Sequence, residues 1–167
     1  MSRHAESTAL IAASPGDVFA HLDDQERLAA HMTRSSMMMG GGRMTYEFDA
    51  HKGKAVGSHI KMGGSAFGIS LFVDEVVTVR EPPRRKMWKT VGHTRLIVIG
   101  PYEMGYAVDG RSGGSELRVW IDYEPPRGWA RFIPWLGSMY ARWCVGRMTA
   151  DAAGRFGRIS AMAPGLS

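Results

Sequence analysis

The feature that most constrains this chain is a change of apolar period near residue 125. In Glu116 to Glu124, Leu117, Val119, Ile121 and Tyr123 alternate with Glu116, Arg118, Asp122 and Glu124. That is the period of a strand with one buried and one wetted face. Trp120 is the exception, an aromatic on the polar side. Pro125-Pro126 closes the pattern, because proline cannot donate to a sheet ladder. After Gly128 the residues Trp129, Phe132, Leu136, Met139, Tyr140, Trp143 and Val145 to Met148 fall near one broad helical stripe. Pro134 either opens the main helix in its first turn or kinks a longer one. From Pro134 to Phe156 such a helix is about 34 Å long.

The period of two extends well upstream. Met44, Tyr46, Phe48 and Ala50 alternate with polar residues, and Ile60 and Met62 share one side of a further strand that Gly63-Gly64 ends or bends. Gly68 to Arg80 reads as a long strand with Ile69, Leu71, Val73, Val77 and Val79 in phase, stopped by Glu81-Pro82-Pro83. Met87 to Val91 is another strand. Leu96 to Val108 is the next, bent at Gly100-Pro101, with Tyr102, Met104, Tyr106 and Val108 on one face. The chain opens on an extended segment, Ala5 to Ala13. A short helix from Pro15 to Leu22 follows, with Ser14 as its cap. Asp23 or Asp24 can cap a second short helix, in which Leu28, Ala29 and Met32 are apolar. Ser35 to Gly42 reads as a loop or strand entry.

This order predicts an α+β fold: a curved antiparallel sheet of six to seven strands, with two short helices after the first strand and a long C-terminal helix. Consecutive strands joined by short turns pair antiparallel. Their common apolar face needs cover, and the C-terminal helix is the one large apolar partner. A twisted sheet curled around a single helix leaves a gap between them. Residues 1–158 read as one domain and 159–167 as a tail.

Composition removes several functional classes. A single cysteine, Cys144, excludes an internal disulfide framework and a Cys-based zinc site, and makes a reducing cytoplasm the default. No run approaches the roughly 18 apolar residues of a membrane span. The net charge is +5, but acidic residues are interspersed and no nucleic-acid motif accompanies it. None of His4, His21, His31, His51, His59 and His93 forms a helical metal spacing, so no metal is expected. Gly40-Gly41-Gly42 lacks the ending of a phosphate loop, there is no Gly-x-Ser-x-Gly elbow, and no cofactor is implied.

Several stretches resemble the START-like superfamily, also called the polyketide cyclase/dehydrase and lipid-transport (SRPBCC) group. They are Ile11-Ala12-Ala13-Ser14-Pro15-Gly16-Asp17-Val18-Phe19 with Leu22-Asp23-Asp24, the strand end Val79-Arg80-Glu81-Pro82-Pro83, and the final helix with Tyr140-Ala141-Arg142-Trp143 and Met148. The resemblance spans about residues 5 to 157. It implies a helix-grip fold and an internal cavity for lipids, polyketides or aromatic metabolites.

On that expectation Met44, Tyr46, Phe48, Ile60, Met62, Tyr102, Met104, Tyr106, Leu117, Val119 and Ile121 face the helix. Met139, Tyr140 and Trp143 face back, and a hydrophobic small molecule lies between. The plain alternative is a filled core. Twelve methionines suit a pocket that can reshape itself. Met37 to Met39 and the short helices would form its mouth. Asp74 and Glu75 interrupt an apolar strand, and Glu75 shares the face of Leu71, Val73 and Val77. In a cavity Glu75, Asp74 or a tyrosine could serve as acid or base in a cyclase or dehydratase; at a strand end Glu75 would sit in water. Trp129, Phe132, Trp135 and nearby arginines either touch an anionic bilayer or, for Trp129 and Phe132, pack on the sheet.

Overall fold

The structure is a computed structural model that describes residues 1–33, 44–66 and 68–159. Seven strands form one antiparallel sheet: β1 (Arg3–Ile11), β2 (Met44–Phe48), β3 (His59–Ala66), β4 (Ile69–Glu81), β5 (Arg85–Arg95), β6 (Tyr102–Arg111) and β7 (Gly114–Tyr123). Their order across the sheet is β1-β7-β6-β5-β4-β3-β2. Every neighbour but one is a sequence neighbour; β1 instead pairs with β7, Arg3 opposite Tyr123 and Ile11 opposite Ser115. Helices α1 (Pro15–Asp23) and α2 (Gln25–Thr33) intervene between β1 and β2, and α3 (Pro134–Phe156) follows the sheet.

The local signals account for the helix starts. Ser14 Oγ accepts the Asp17 N–H at 3.2 Å with Pro15 in the first turn, and Asp24 Oδ1 accepts the Arg27 N–H at 3.2 Å. Each bond satisfies an amide that has no partner within its helix. Pro134 opens α3 and does not kink it.

Three expectations are corrected and, for Gly63-Gly64, one of two alternatives is removed. Leu96 to Pro101 is not strand: the chain leaves the sheet after Arg95, Ile99 is buried beneath the start of α3, and Gly100 N–H donates to the Glu124 carbonyl at 2.8 Å at the end of β7. The strand before it is longer than Met87 to Val91, because Arg85 pairs with Ala107 and Lys86 with Tyr106. Gly63-Gly64 does not end β3, since both residues pair with β2 on one side and β4 on the other. Val79 is not in phase with Val77: an irregularity between them shifts the register, so that Arg80 lies opposite Lys86. An extra residue of this kind exchanges the two faces of a strand. Here it turns a cation inward. Residues 34–43, with Met37 to Met39, and residues 160–167 lie outside the described residues.

Helix α3 does not sit centrally over the sheet. It packs chiefly on β1 and β7, through the buried residues Gly137, Ala141, Val145, Thr149 and Ala152. Small side chains let the helix approach closely; a Cβ at Gly137 would lie 2.8 Å from the Val98 carbonyl oxygen. Helix α1 covers the adjacent part of the inner face and buries Val18, Phe19 and Leu22 against β6 and β7. Fully burying a side chain of this size contributes about 1.5–3 kcal/mol. The core is therefore concentrated at the β1–β7–β6 side, and the inner faces of β2, β3 and β4 stand away from the helix.

Candidate functional site

A cavity of about 140 Å³ occupies that gap. Its sheet wall consists of Met44, Tyr46 and Phe48 from β2, Ile60 and Met62 from β3, Leu71, Val73 and Glu75 from β4, Trp88 from β5, Tyr102 and Met104 from β6, and Ile121 from β7. Gln25, Leu28 and Ala29 of α2 close one side together with Leu96. Tyr140, Cys144 and Met148 of α3 form the roof, each four residues from the last and so on one face of the helix.

Eleven expected ligand-facing residues of the sheet, from Met44 to Ile121, thus divide into two groups. Met44, Tyr46, Phe48, Ile60, Met62, Tyr102, Met104 and Ile121 meet at the cavity. Tyr106, Leu117 and Val119 are buried but lie in the packed core under α1 and α3. The Tyr106 ring is there held between Phe19 and Trp88, at centroid distances of 5.6 and 6.2 Å. Of the helix residues, Tyr140 lines the cavity. Trp143 packs beside Tyr140 on the core, and Met139 turns outward with 47% of its surface exposed. The apolar stripe of α3 is wider than one face, so its period does not distinguish roof, core and solvent. Gln25, Leu28, Ala29, Leu71, Val73, Trp88, Leu96, Cys144 and Met148 also line the cavity and are not among the residues the sequence points to. For Cys144 and Met148 the four-residue spacing from Tyr140 was the available signal.

Glu75 is the one charged side chain on the wall among the described residues, only 5% exposed. The Tyr102 hydroxyl donates a short hydrogen bond to Glu75 Oε1, and the Trp88 side chain also hydrogen-bonds the carboxylate. Tyr102 is held in turn by its own N–H, which donates to Thr90 Oγ1 at 3.1 Å. Burial raises the Glu75 pKa from 4.5 to about 7, against the opposing pull of the Tyr102 and Trp88 hydrogen bonds. Asp74, one residue away, points to the other face and pairs with His59 Nδ1 at 2.9 Å. The other titratable groups of the cavity stay protonated at neutral pH. Burial lifts the Tyr46 hydroxyl to about 12 and the Cys144 thiol to about 12, while Cys144 and burial together lift Tyr140, and burial and Glu75 lift Tyr102. The cavity is thus a largely apolar, methionine-rich and aromatic chamber with hydroxyl donors and one carboxyl that titrates near neutrality.

Beyond the cavity, the inward turn of Arg80 completes a buried ionic cluster. Asp23 receives Arg80 at 2.8 Å and Lys86 at 2.8 Å, with Lys86 0% exposed. Burial pushes the Asp23 carboxyl up, but the hydrogen bonds from Arg80 and Lys86 outweigh it and hold the carboxyl below its usual range. This cluster ties α1 to β4 and β5. A second hollow, of about 380 Å³, lies between the short helices and α3 beside His21, Arg27, Asp151 and Arg155. Its polar groups are already engaged, since His21 and Arg27 both reach Asp151, at 2.8 and 3.3 Å. Among the described residues no three His, Cys, Asp or Glu side chains group as metal ligands, and no helix is long and apolar enough to cross a membrane.

A curved seven-stranded sheet, one long helix laid along it and an apolar chamber between the two define the helix-grip class. The chain belongs to the polyketide cyclase/dehydrase and lipid transport family, whose model matches residues 2–156. Among curated proteins no sequence matches it. Solved structures of similar fold include Ara h 8.0201, with a TM-score of 0.63 at 12% identity, covering 93% of this chain and 97% of that one. Protein CV1439 from Chromobacterium violaceum gives 0.61 at 18%, covering 94% and 99%. Norcoclaurine synthase from Thalictrum flavum, solved with dopamine and hydroxybenzaldehyde, gives 0.62 at 14%, covering 93% and 86%. Identities this low speak for the fold alone. Family and fold together support a domain that binds hydrophobic ligands.

Proposed function

We propose that this protein, with residues 1–158 as one domain, binds a compact apolar or aromatic molecule in the cavity as a carrier or sensor. The observation that carries the reading is the chamber itself: about 140 Å³ of space walled mostly by methionines, aliphatic residues and aromatics, with Glu75 and Tyr102 forming a polar corner and Gln25 at its side. A cavity near 150 Å³ with an apolar lining is large enough for a benzene ring. The single-ring compounds in the norcoclaurine synthase structure are of that kind. Flexible thioethers at Met44, Met62, Met104 and Met148 allow the walls to yield to a larger ligand. Apolar wall contact supplies affinity, and the Glu75–Tyr102 corner orients a polar substituent.

Native mass spectrometry of the protein purified from cells, before and after solvent extraction, tests this. Retained mass should disappear on extraction, and single-ring aromatics should then bind. Val73→Phe, which fills part of the chamber, should weaken that binding at least about tenfold while leaving the fold intact. An extracted protein that binds no apolar probe would end the proposal.

A second reading is favoured by one observation, the Glu75 carboxyl titrating at about 7 beside a tyrosine hydroxyl. A group with that pKa exchanges protons readily near neutrality. It fits an acid or base in a cyclase or dehydratase reaction, with the chamber folding the substrate around it. Glu75→Gln should then abolish turnover of a genuine substrate and leave its binding largely unchanged; unaltered turnover would remove Glu75 from the chemistry.

A further inference from the structure

Four large apolar side chains project into solvent from one short stretch of chain. Trp129 is 59% exposed, Phe132 72%, Trp135 64% and Met139 47%. They follow each other at spacings of three, three and four residues, about one turn each through the 3-10 turn Gly128–Phe132 and into α3. The stretch is anchored from below: Ala130 is buried, and Gly137 packs against the Val98 carbonyl. Packing of Trp129 and Phe132 on the sheet would have hidden them, and it does not occur.

Along the stretch of chain that carries these side chains the charge has one sign. From Pro125 to Ala150 the sequence contains no Asp or Glu and four arginines, Arg127, Arg131, Arg142 and Arg147. Arg127, Arg131 and Arg142 are exposed, and Arg142 follows Met139 by one turn. The Arg131 guanidinium lies over the Phe132 ring at 4.7 Å. Arg3 joins the same region by donating to the Pro134 carbonyl at 2.8 Å. The first turn of α3 holds no acidic residue, so the positive end of the helix dipole adds to this field. Exposed tryptophans are costly in water and settle at the headgroup level of a bilayer, where arginines meet phosphate.

We propose that Trp129, Phe132, Trp135 and Met139, with Arg127, Arg131 and Arg142, form a patch that seats on an anionic lipid bilayer. The complementarity of a cationic rim to anionic headgroups selects this occupant. It does not depend on what the cavity holds.

The test is sedimentation of the full chain with vesicles of phosphatidylcholine mixed with phosphatidylglycerol, compared with phosphatidylcholine alone, at low and high salt. Binding should require the anionic lipid and weaken with salt. The tryptophan emission should shift to the blue and be quenched by brominated lipid. Arg127→Gln and Arg131→Gln should each lower partitioning about fivefold. The triple change Trp129→Ala, Phe132→Ala, Trp135→Ala should lower it about a hundredfold or more. Phe72→Ser, at an exposed aromatic on β4, should not alter it. Unchanged circular dichroism and melting would show that these surface variants fold. The proposal is overturned if the wild-type chain stays in the supernatant with anionic vesicles, or if the triple variant sediments like wild type. It is equally overturned if the patch proves to be a self-association surface, shown by a dimer in sedimentation equilibrium that the triple change dissolves and lipid does not compete with.

Discussion

Glu75 offers the sharpest check on the physical account of the cavity. Its carboxyl is raised from 4.5 to about 7 by burial, partly countered by Tyr102 and Trp88. The folded state therefore keeps this proton through a pH range in which the unfolded chain has lost it. Stability from this group is fully present below about pH 4.5, falls as pH rises from there to about 7, and is level above. The size of the fall is about 3 kcal/mol, because each pKa unit corresponds to about 1.4 kcal/mol. Glu75→Gln keeps the shape and an acceptor oxygen for Tyr102 but cannot ionise. Measured by urea unfolding between pH 4 and 8, the variant should gain on the wild type from about pH 4.5 to about 7 and stay level above, by about 3 kcal/mol in all. Comparing the pair cancels the other titrations of the chain. A difference that stays flat with pH would show that water reaches the carboxylate, and the chamber would then not be the dry, low-dielectric space its lining describes.

Three further outcomes follow from the packing. Gly137→Ala should lose about 1–2 kcal/mol despite better helix propensity, since its Cβ would meet the Val98 carbonyl oxygen at 2.8 Å. Gly146→Ala, which meets nothing within 4 Å, should gain up to about 1 kcal/mol, so the two melting temperatures should move in opposite directions. Lys86→Met should cost about 3 kcal/mol in urea unfolding, with little dependence on salt, because the ammonium pairing with Asp23 is wholly buried. Asp23 is held ionised below its usual pKa, so its contribution is present above that pKa and is lost as pH falls. The loss on acidification should be smaller in the Lys86 variant. Cys144, with its thiol raised to about 12, should alkylate at pH 8 about a hundredfold or more slowly in the native protein than in urea; comparable rates would place the roof of the cavity in solvent.

The elements were legible because each rests on local chemistry. Alternation in Glu116 to Glu124 marked β7 as a half-buried strand. Ser14-Pro15 marked the start of α1, and Pro134 to Phe156 gave α3 its observed bounds. Alternation failed where backbone pairing overrode it. The irregularity after Val77 leaves no trace in a pattern of apolar and polar letters, yet it decides that Arg80 rather than Val79 faces Asp23. In Leu96 to Ile99 a run of strand-forming residues lies off the sheet, with Val98 and Ile99 against Gly137 of α3.

The site divides along the same line. That Glu75 shares a face with Leu71 and Val73 is a property of the sequence, fixed by the two-residue repeat of a strand. That this face is buried at Glu75 is a tertiary property. It depends on α3 lying against β1 and β7 rather than over β3 and β4, on α2 closing the side, and on Tyr102 reaching Glu75 from two strands away. The sequence likewise placed Trp129, Phe132 and Met139 on one apolar stripe with Trp143. Only the position of the helix on the sheet decided which of them pack and which face solvent, because a period describes the faces of one element and burial depends on what lies opposite.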